Sequence, residues 1–258
     1  MSELSQQAID AACERFGHEL GWRFLTSPER NFETARVALV TINPGGAVYE
    51  PPQWSVENGS AYVVESWKGQ QPGTAKLQFQ VRRMFELADV APEDVLSGYF
   101  VPFRSPTWSA LARKSESLHF AERLWREAFR RAENLQIVIA FGKDVAAYVA
   151  PLLGARLIVK KQAFWGEQTI DIYADRNGLH LIVLPHLSRF SLFGRLQSEK
   201  AFMEALSSVG WSQAERQPWI EPAVGQTVFD NLVDQASEAV SNFAAGIYEF
   251  FKSLKLFK

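Results

Sequence analysis

Apolar positions along the chain follow two alternating periodicities. Over residues 4–20, Leu4, Ala8, Ala11, Ala12, Phe16 and Leu20 recur at helical spacing and predict an amphipathic helix. Residues 36–42 form a short run rich in β-branched side chains, halted by Asn43, Pro44, Gly45 and Gly46, which predicts a buried strand and a turn. The next segment, 47–73, is rich in aromatic residues, Pro and Gly and predicts a long loop. Thr74 is then placed to cap a helix reaching about Ala88, with Leu77, Val81, Met84, Phe85 and Leu87 inward. A second strand is predicted near Val95 to Phe103, followed by a loop bracketed by Pro102 and Pro106. A helix carrying Leu118, Ala121, Leu124, Trp125, Ala128 and Phe129 leads into a strand at 136–141, and Gly142 opens a further helix. Residues 156–174 predict a strand pair turning at Gly166. Leu179 to Leu184 is the last buried strand, ending at Pro185 and His186, and a closing helix covers about 197–208.

Buried strands that alternate with helices predict an α/β protein, a three-layer α/β/α arrangement around a central, mostly parallel four-stranded sheet. In such sheets ligands sit beyond the carboxyl ends of the strands. The loops after Ile42, Phe103, Phe141 and Leu184 are therefore expected to converge on one cleft. The domain is expected over 1–212 and a linker over 213–226. A C-terminal amphipathic helix over 227–258 carries Phe229, Leu232, Ala236, Val240, Phe243, Ile247, Phe250 and Leu254 in a narrow seam. That seam fits docking on its own domain, a homodimer or contact with a partner. Acidic residues on its polar face argue against a membrane surface.

Composition changes this picture little. The 258 residues are 47% hydrophobic and 22% charged, as in ordinary globular proteins, and no apolar run is long enough to span a bilayer. No basic and apolar leader is evident at the start, so a cytoplasmic location is expected. One cysteine, Cys13, permits no internal disulfide, no zinc ribbon and no four-cysteine cluster; it reads as a structural thiol, and no cofactor is expected. The net charge of −2 argues mildly against nucleic-acid binding, although Arg104, Arg113, Lys114, Arg189, Arg195 and Lys200 cluster near the loops that matter.

Two of those loops carry chemistry. Asn43, straight after a buried strand, is a polar side chain at a strand tip, and the glycines beside it allow close backbone approach to a ligand. Alone, such a sequence is as readily a plain turn. His186 follows the last strand with Ser188, Arg189, Phe190 and Leu192 close behind, a pattern that a capping serine and a structural histidine would also explain. Together, at one sheet edge, the two loops say more than either does alone. An amide does not titrate near neutral pH, so Asn43 is suited to orienting a water or bonding a base rather than acting as a base. A neutral imidazole at His186 is suited to donating to a developing oxyanion.

Ile42-Asn43-Pro44-Gly45 resembles the first signature of the uracil-DNA glycosylase superfamily, most like its mismatch-specific and single-strand-selective branches, which carry Asn there. His186-Leu187-Ser188 resembles the second signature, with Leu187 where proline is usual. Phe141-Gly142-Lys143 resembles the family's strand-to-helix turn, and the likeness runs in family order over about residues 35–210. The resemblance implies a monofunctional DNA N-glycosylase that flips a base and hydrolyses its glycosidic bond, with DNA as partner and Asn43 and His186 catalytic. It implies a base pocket drawn from Ile42, Pro44, Gly45, Tyr62, Tyr99 and Phe100. Contacts to DNA would come from Arg104, Ser188, Arg189, Phe190 and Arg195, with Arg189, Phe190 or Leu192 entering the vacated stack. Tyr99 or Phe100 stands where relatives that read uracil use an amide, which points to a damaged or modified base, as in glycosylases that attack hypermodified phage DNA. Trp54, Tyr62 and Trp67 are candidates for a stacking face, and Glu57 and Glu65 for binding polar substituents of the base, with a solvated loop as their plainer assignment. Two rival readings remain: a catalytically silent nucleic-acid- or partner-binding module, and a nucleotide or sugar-phosphate enzyme, which lacks a phosphate-binding glycine loop here.

Overall fold

The computed structural model describes residues 3–211; the expected linker and C-terminal helix lie outside them. Its centre is four parallel strands, β1 (Val37–Thr41), β2 (Leu96–Tyr99), β3 (Ile137–Phe141) and β6 (His180–Leu184), in the spatial order β2-β1-β3-β6. Side chains alternate across a pleated strand, so apolar runs of this kind feed two cores at once. Ala38, Val40, Val138, Ala140, Leu181 and Val183 enter one core. That core is shared with α1 (Gln6–Phe16), α5 (Lys114–Arg131) and α6 (Lys143–Leu152). Leu39, Ile139, Phe141, Ile182 and Leu184 enter the other, beneath α4 (Lys76–Leu87) and α7 (Leu196–Ser208). Three layers result.

The sheet has six strands rather than the four expected. The strand pair around Gly166 is a hairpin, β4 (Arg156–Gln162) and β5 (Thr169–Ala174), and β5 pairs antiparallel with β6. Ile170 and Ile172 continue the α7-side core, so burying them requires the hairpin to join the sheet instead of standing apart. β4 is left as an exposed edge. The opposite edge is covered: Arg23 and Thr26 donate backbone N–H groups to Pro102 and Ser97, and Tyr99 donates to Phe24. This contact is close enough that a methyl group on Gly98 would sit 2.8 Å from the Phe24 carbonyl oxygen.

Helix ends follow local chemistry. Ser5 caps α1 by accepting from the Ala8 N–H, and Gly17 ends it in the left-handed conformation. α4 starts at Lys76 and not after Thr74, whose hydroxyl is turned back to Gln71; the Gln78 side chain accepts the Ala75 N–H instead. The buried Gln80 amide holds both the N–H and the C=O of Phe193. Arg83 forms a two-pronged pair with Glu199 that ties α4 to α7. The chain following His186 is therefore anchored from α4. Gly98→Ala is expected to cost about 1–3 kcal/mol by overpacking, read as a lower urea midpoint with an unchanged slope.

Candidate functional site

Hydrogen bonding between β1 and β2 does not stop at the strand ends. Phe100 and Val101 donate to Thr41 and Ile42, Ser105 donates to Pro44, and Gly46 donates to Ser105. The loop carrying Asn43 is thus held against residues 100–105 along its length. In this setting the Asn43 NH₂ group lies 2.8 Å from Ser105 Oγ, 3.3 Å from the Phe103 carbonyl and 3.2 Å from the Pro44 carbonyl. The Ser105 hydroxyl proton is committed to the Thr107 carbonyl, so Ser105 can only accept from Asn43. Three acceptors around one end of an amide fix its direction: the NH₂ faces the loop, and the carbonyl oxygen accepts no bond among the described residues.

Arg104 braces the same loop from behind. Its guanidinium donates to the Gly45 carbonyl and pairs with Glu50, each at 2.5 Å. Gly46, at φ 141°, lets this happen, because an added Cβ would lie 3.0 Å from the Arg104 guanidinium.

His186 stands two residues past Leu184, as Asn43 stands two past Thr41, with the tip of β3 between them. Two interstrand spacings, roughly 9–10 Å, separate their strands. Thr41, Tyr99 and Leu184 mark the strand ends, and by alternation Asn43 and Tyr99 fall on the face covered by α4 and α7. The His186 ring lies beside Gly142, the glycine that opens α6 at φ 91° and donates its N–H to the Leu184 carbonyl. His186 Nδ1 receives the Ser188 backbone N–H at 3.3 Å and contacts the Ser188 hydroxyl at 2.8 Å. A ring nitrogen that accepts an N–H carries no proton, so the neutral ring bears its hydrogen on Nε2. Burial, with Arg189 adding to it, holds the imidazole below its ordinary pKa of 6.5. At neutral pH the site pairs an unbonded amide oxygen with an imidazole N–H donor.

Other expected site residues are placed differently. Ile42, Pro44, Tyr62 and Phe100 are buried, and only Gly45 and half-buried Tyr99 are open. Phe100 stacks on Tyr148 of α6 with ring centres 5.7 Å apart, and Tyr62 packs edge-on to Trp67 in the α4-side core. Both are wedged into cores, where a large aromatic ring buries most of its area. Trp54 packs on Phe24 and donates to Glu29, so the stacking face expected from 47–73 is a packed wall. Arg104 is buried and engaged, not a phosphate contact. Leu192 is buried, and Phe190 leans edge-on against Trp165 at 5.3 Å, which removes both as free wedges. Ser188, Arg189 and Arg195 are exposed, as a contact with DNA requires. Cys13 fits its structural reading: its thiol faces the His18 carbonyl, and burial pushes its pKa to about 11.

Several residues were not legible beforehand. Ser105 orients Asn43. Arg23 and Glu65 form a two-pronged pair and Trp67 donates to the same carboxylate, so Glu65 is a largely buried partner and not the solvated loop acid expected; Gln53, Tyr62 and Tyr99 lie close by. Burial raises the Tyr99 phenol although Arg23 and Arg104 oppose the shift, so it stays protonated. Its hydroxyl bonds nothing among the described residues. Periodicity carries no trace of a pair 42 residues apart.

Compared with known proteins, the chain matches no protein-family model and no curated sequence. Among the described residues no helix is long and apolar enough to cross a membrane, and no three His, Cys, Asp or Glu side chains gather as a metal-holding group.

The histidine geometry makes a measurable statement. The His186 ring is expected to titrate below 6.5 and to show the Nε2–H tautomer in long-range ¹H–¹⁵N spectra. With the folded pKa below the unfolded one, His186 leaves stability unchanged above 6.5 and lowers it as pH falls from there through the folded value. Titration above 6.5, or a proton on Nδ1, contradicts the arrangement.

Proposed function

We propose that this chain is a monofunctional DNA N-glycosylase related to the uracil-DNA glycosylase superfamily, acting on an extruded damaged or modified base. The observation that carries the reading is the opposite polarity of the two groups beside β3: an outward amide oxygen at Asn43 and an Nε2–H at His186. Hydrolysis of a glycosidic bond calls for such a pair. The Asn43 oxygen accepts a hydrogen of one water and holds that water's oxygen toward C1′. A C1′–O bond forms, the C1′–N bond breaks with its electron pair passing to the base, and the water's proton is lost to solvent or to the departing base. His186 donates to the base oxygen on which negative charge grows, and an unprotonated neighbour at Nδ1 leaves that donor fixed in direction. Neither group changes its own protonation.

Tyr99, half-buried with a neutral phenol, is the side chain of the expected pocket best placed to meet a base edge. A phenol offers one donor–acceptor oxygen where an amide offers a matched pair, which favours a substrate other than uracil. The burial of Ile42, Pro44, Tyr62 and Phe100 favours a second reading, in which the same tips bind nucleic acid without chemistry.

Base release decides between them. Mass spectrometry of bases freed from genomic and phage DNA is expected to detect a product with the intact chain. Asn43→Ala should slow release by about 10²–10³-fold while affinity for DNA changes little. Release at an undiminished rate in that variant would remove the mechanism, and no release from any DNA would leave the silent reading.

A further inference from the structure

The hairpin that enlarges the sheet brings a second group of residues to the same end of the molecule. β5 runs antiparallel to β6, with Asp171 opposite Val183, so the turn at 163–168 lies at the end of β6 where His186 begins its loop. Trp165 in that turn packs against Phe190, whose N–H donates to the His186 carbonyl, and Arg195 lies over the Trp165 ring at 5.9 Å. The turn is therefore joined to the His186 loop through two side chains.

Its tip is built unlike a solvated turn. Phe164 has φ 54°, a left-handed conformation that bulky side chains rarely adopt, and leaves 49% of its surface exposed. Gly or Asn would hold that backbone more cheaply and hide no ring. An outlier of this kind, kept together with an exposed aromatic ring beside a candidate site, is the starting point for a binding role. Cations outnumber acids around it, Glu167 being the one acid in the turn itself. Lys161 lies opposite Ile170, on the α7 side of the hairpin; with Arg189 and Arg195 it forms no ion pair among the described residues. Glu199, the nearest acid in the closing helix, is taken up by Arg83.

We infer that the β4–β5 hairpin tip is a DNA-docking element, in which Phe164 stacks on a base flanking the extruded nucleotide while Lys161, Arg189 and Arg195 hold phosphates of the same strand. The inference rests on the DNA reading of the site and assigns the stacking side chain to the hairpin, in place of Phe190. An exposed aromatic ring flanked by cations that outnumber the single acid Glu167 is the chemistry that binds single-stranded or unstacked nucleic acid.

The test is fluorescence anisotropy with the full chain and a labelled duplex bearing a tetrahydrofuran abasic analogue, which cannot turn over. Phe164→Gly relieves the backbone and should melt at or above the parent temperature, yet lose on the order of tenfold or more in affinity; Phe164→Asn, also tolerant of positive φ, serves if the glycine variant folds poorly. Lys161→Gln and Arg195→Gln should each lower the slope of log affinity against log salt by about one. Affinity within twofold of the parent for Phe164→Gly, unchanged salt slopes, or no binding of the duplex by the parent each overturn the proposal. Base release measured in parallel keeps the two readings apart: a bound duplex with no base freed from any DNA overturns the glycosylase and leaves the hairpin, whereas base freed with hairpin-independent affinity overturns the hairpin alone.

Discussion

An amide enclosed by three oxygen atoms can face only one way, and the arrangement at the tip of β1 depends on that restriction. Turning the Asn43 amide over would set its carbonyl against Ser105 Oγ, whose own proton is already given to Thr107. The exchange replaces a 2.8 Å hydrogen bond by a repulsive contact, at about 1–3 kcal/mol for the group left unsatisfied. Ser105 is held in turn because parallel pairing continues beyond β1 and β2 as far as Gly46, with Arg104 packed behind the loop. The direction of one side chain is thus the end result of sheet register, loop pairing and a buried guanidinium.

On the other side of β3 the same logic holds with fewer parts. His186 has its tautomer set by the backbone N–H of Ser188, two residues along, so this restriction is local and needs no distant partner. What comes from afar is the loop's position, through Gln80 bracketing Phe193 and Glu199 accepting the Gly194 N–H. The two tips are constrained by different means, and each leaves one polar atom unbonded among the described residues.

Much of this was legible in the sequence, for a physical reason. Strands buried on both faces announce themselves as apolar runs, and the residues that end them must lie at one sheet edge if the strands are parallel; Asn43 and His186 follow from that alone. The hairpin at 156–174 was also visible, but its attachment was not, because β4 is exposed along its length while Ile170 and Ile172 alone carry the reason for docking. Aromatic residues misled. Tyr62, Trp54 and Phe100 look alike in sequence whether they line a cleft or fill a core, and the large area each ring hides in a core decides for the latter. Arg104 misled through its charge, since a basic residue in a loop reads as a phosphate contact until its carboxylate partner is seen.

The two ion pairs beside the site join these points. Arg23–Glu65 and Arg104–Glu50 each link the 47–73 segment to the chain flanking β2, with guanidinium side chains only 9% and 7% exposed. Pairs of this kind are weak sources of net stability, because burying each guanidinium costs desolvation while the Glu50 carboxylate, 60% exposed, is screened by solvent. Their effect is geometric: each two-ended contact forbids the segment from sliding. The aromatic stretch expected to offer a stacking face is instead a packed wall. Residues 47–52 themselves stay exposed, so what the pairs supply is position and not dryness, and groups oriented beforehand need no reorganisation when charge develops. This is the condition under which two uncharged side chains, an amide and a neutral imidazole, can act on a charge as it develops without a titrating base between them.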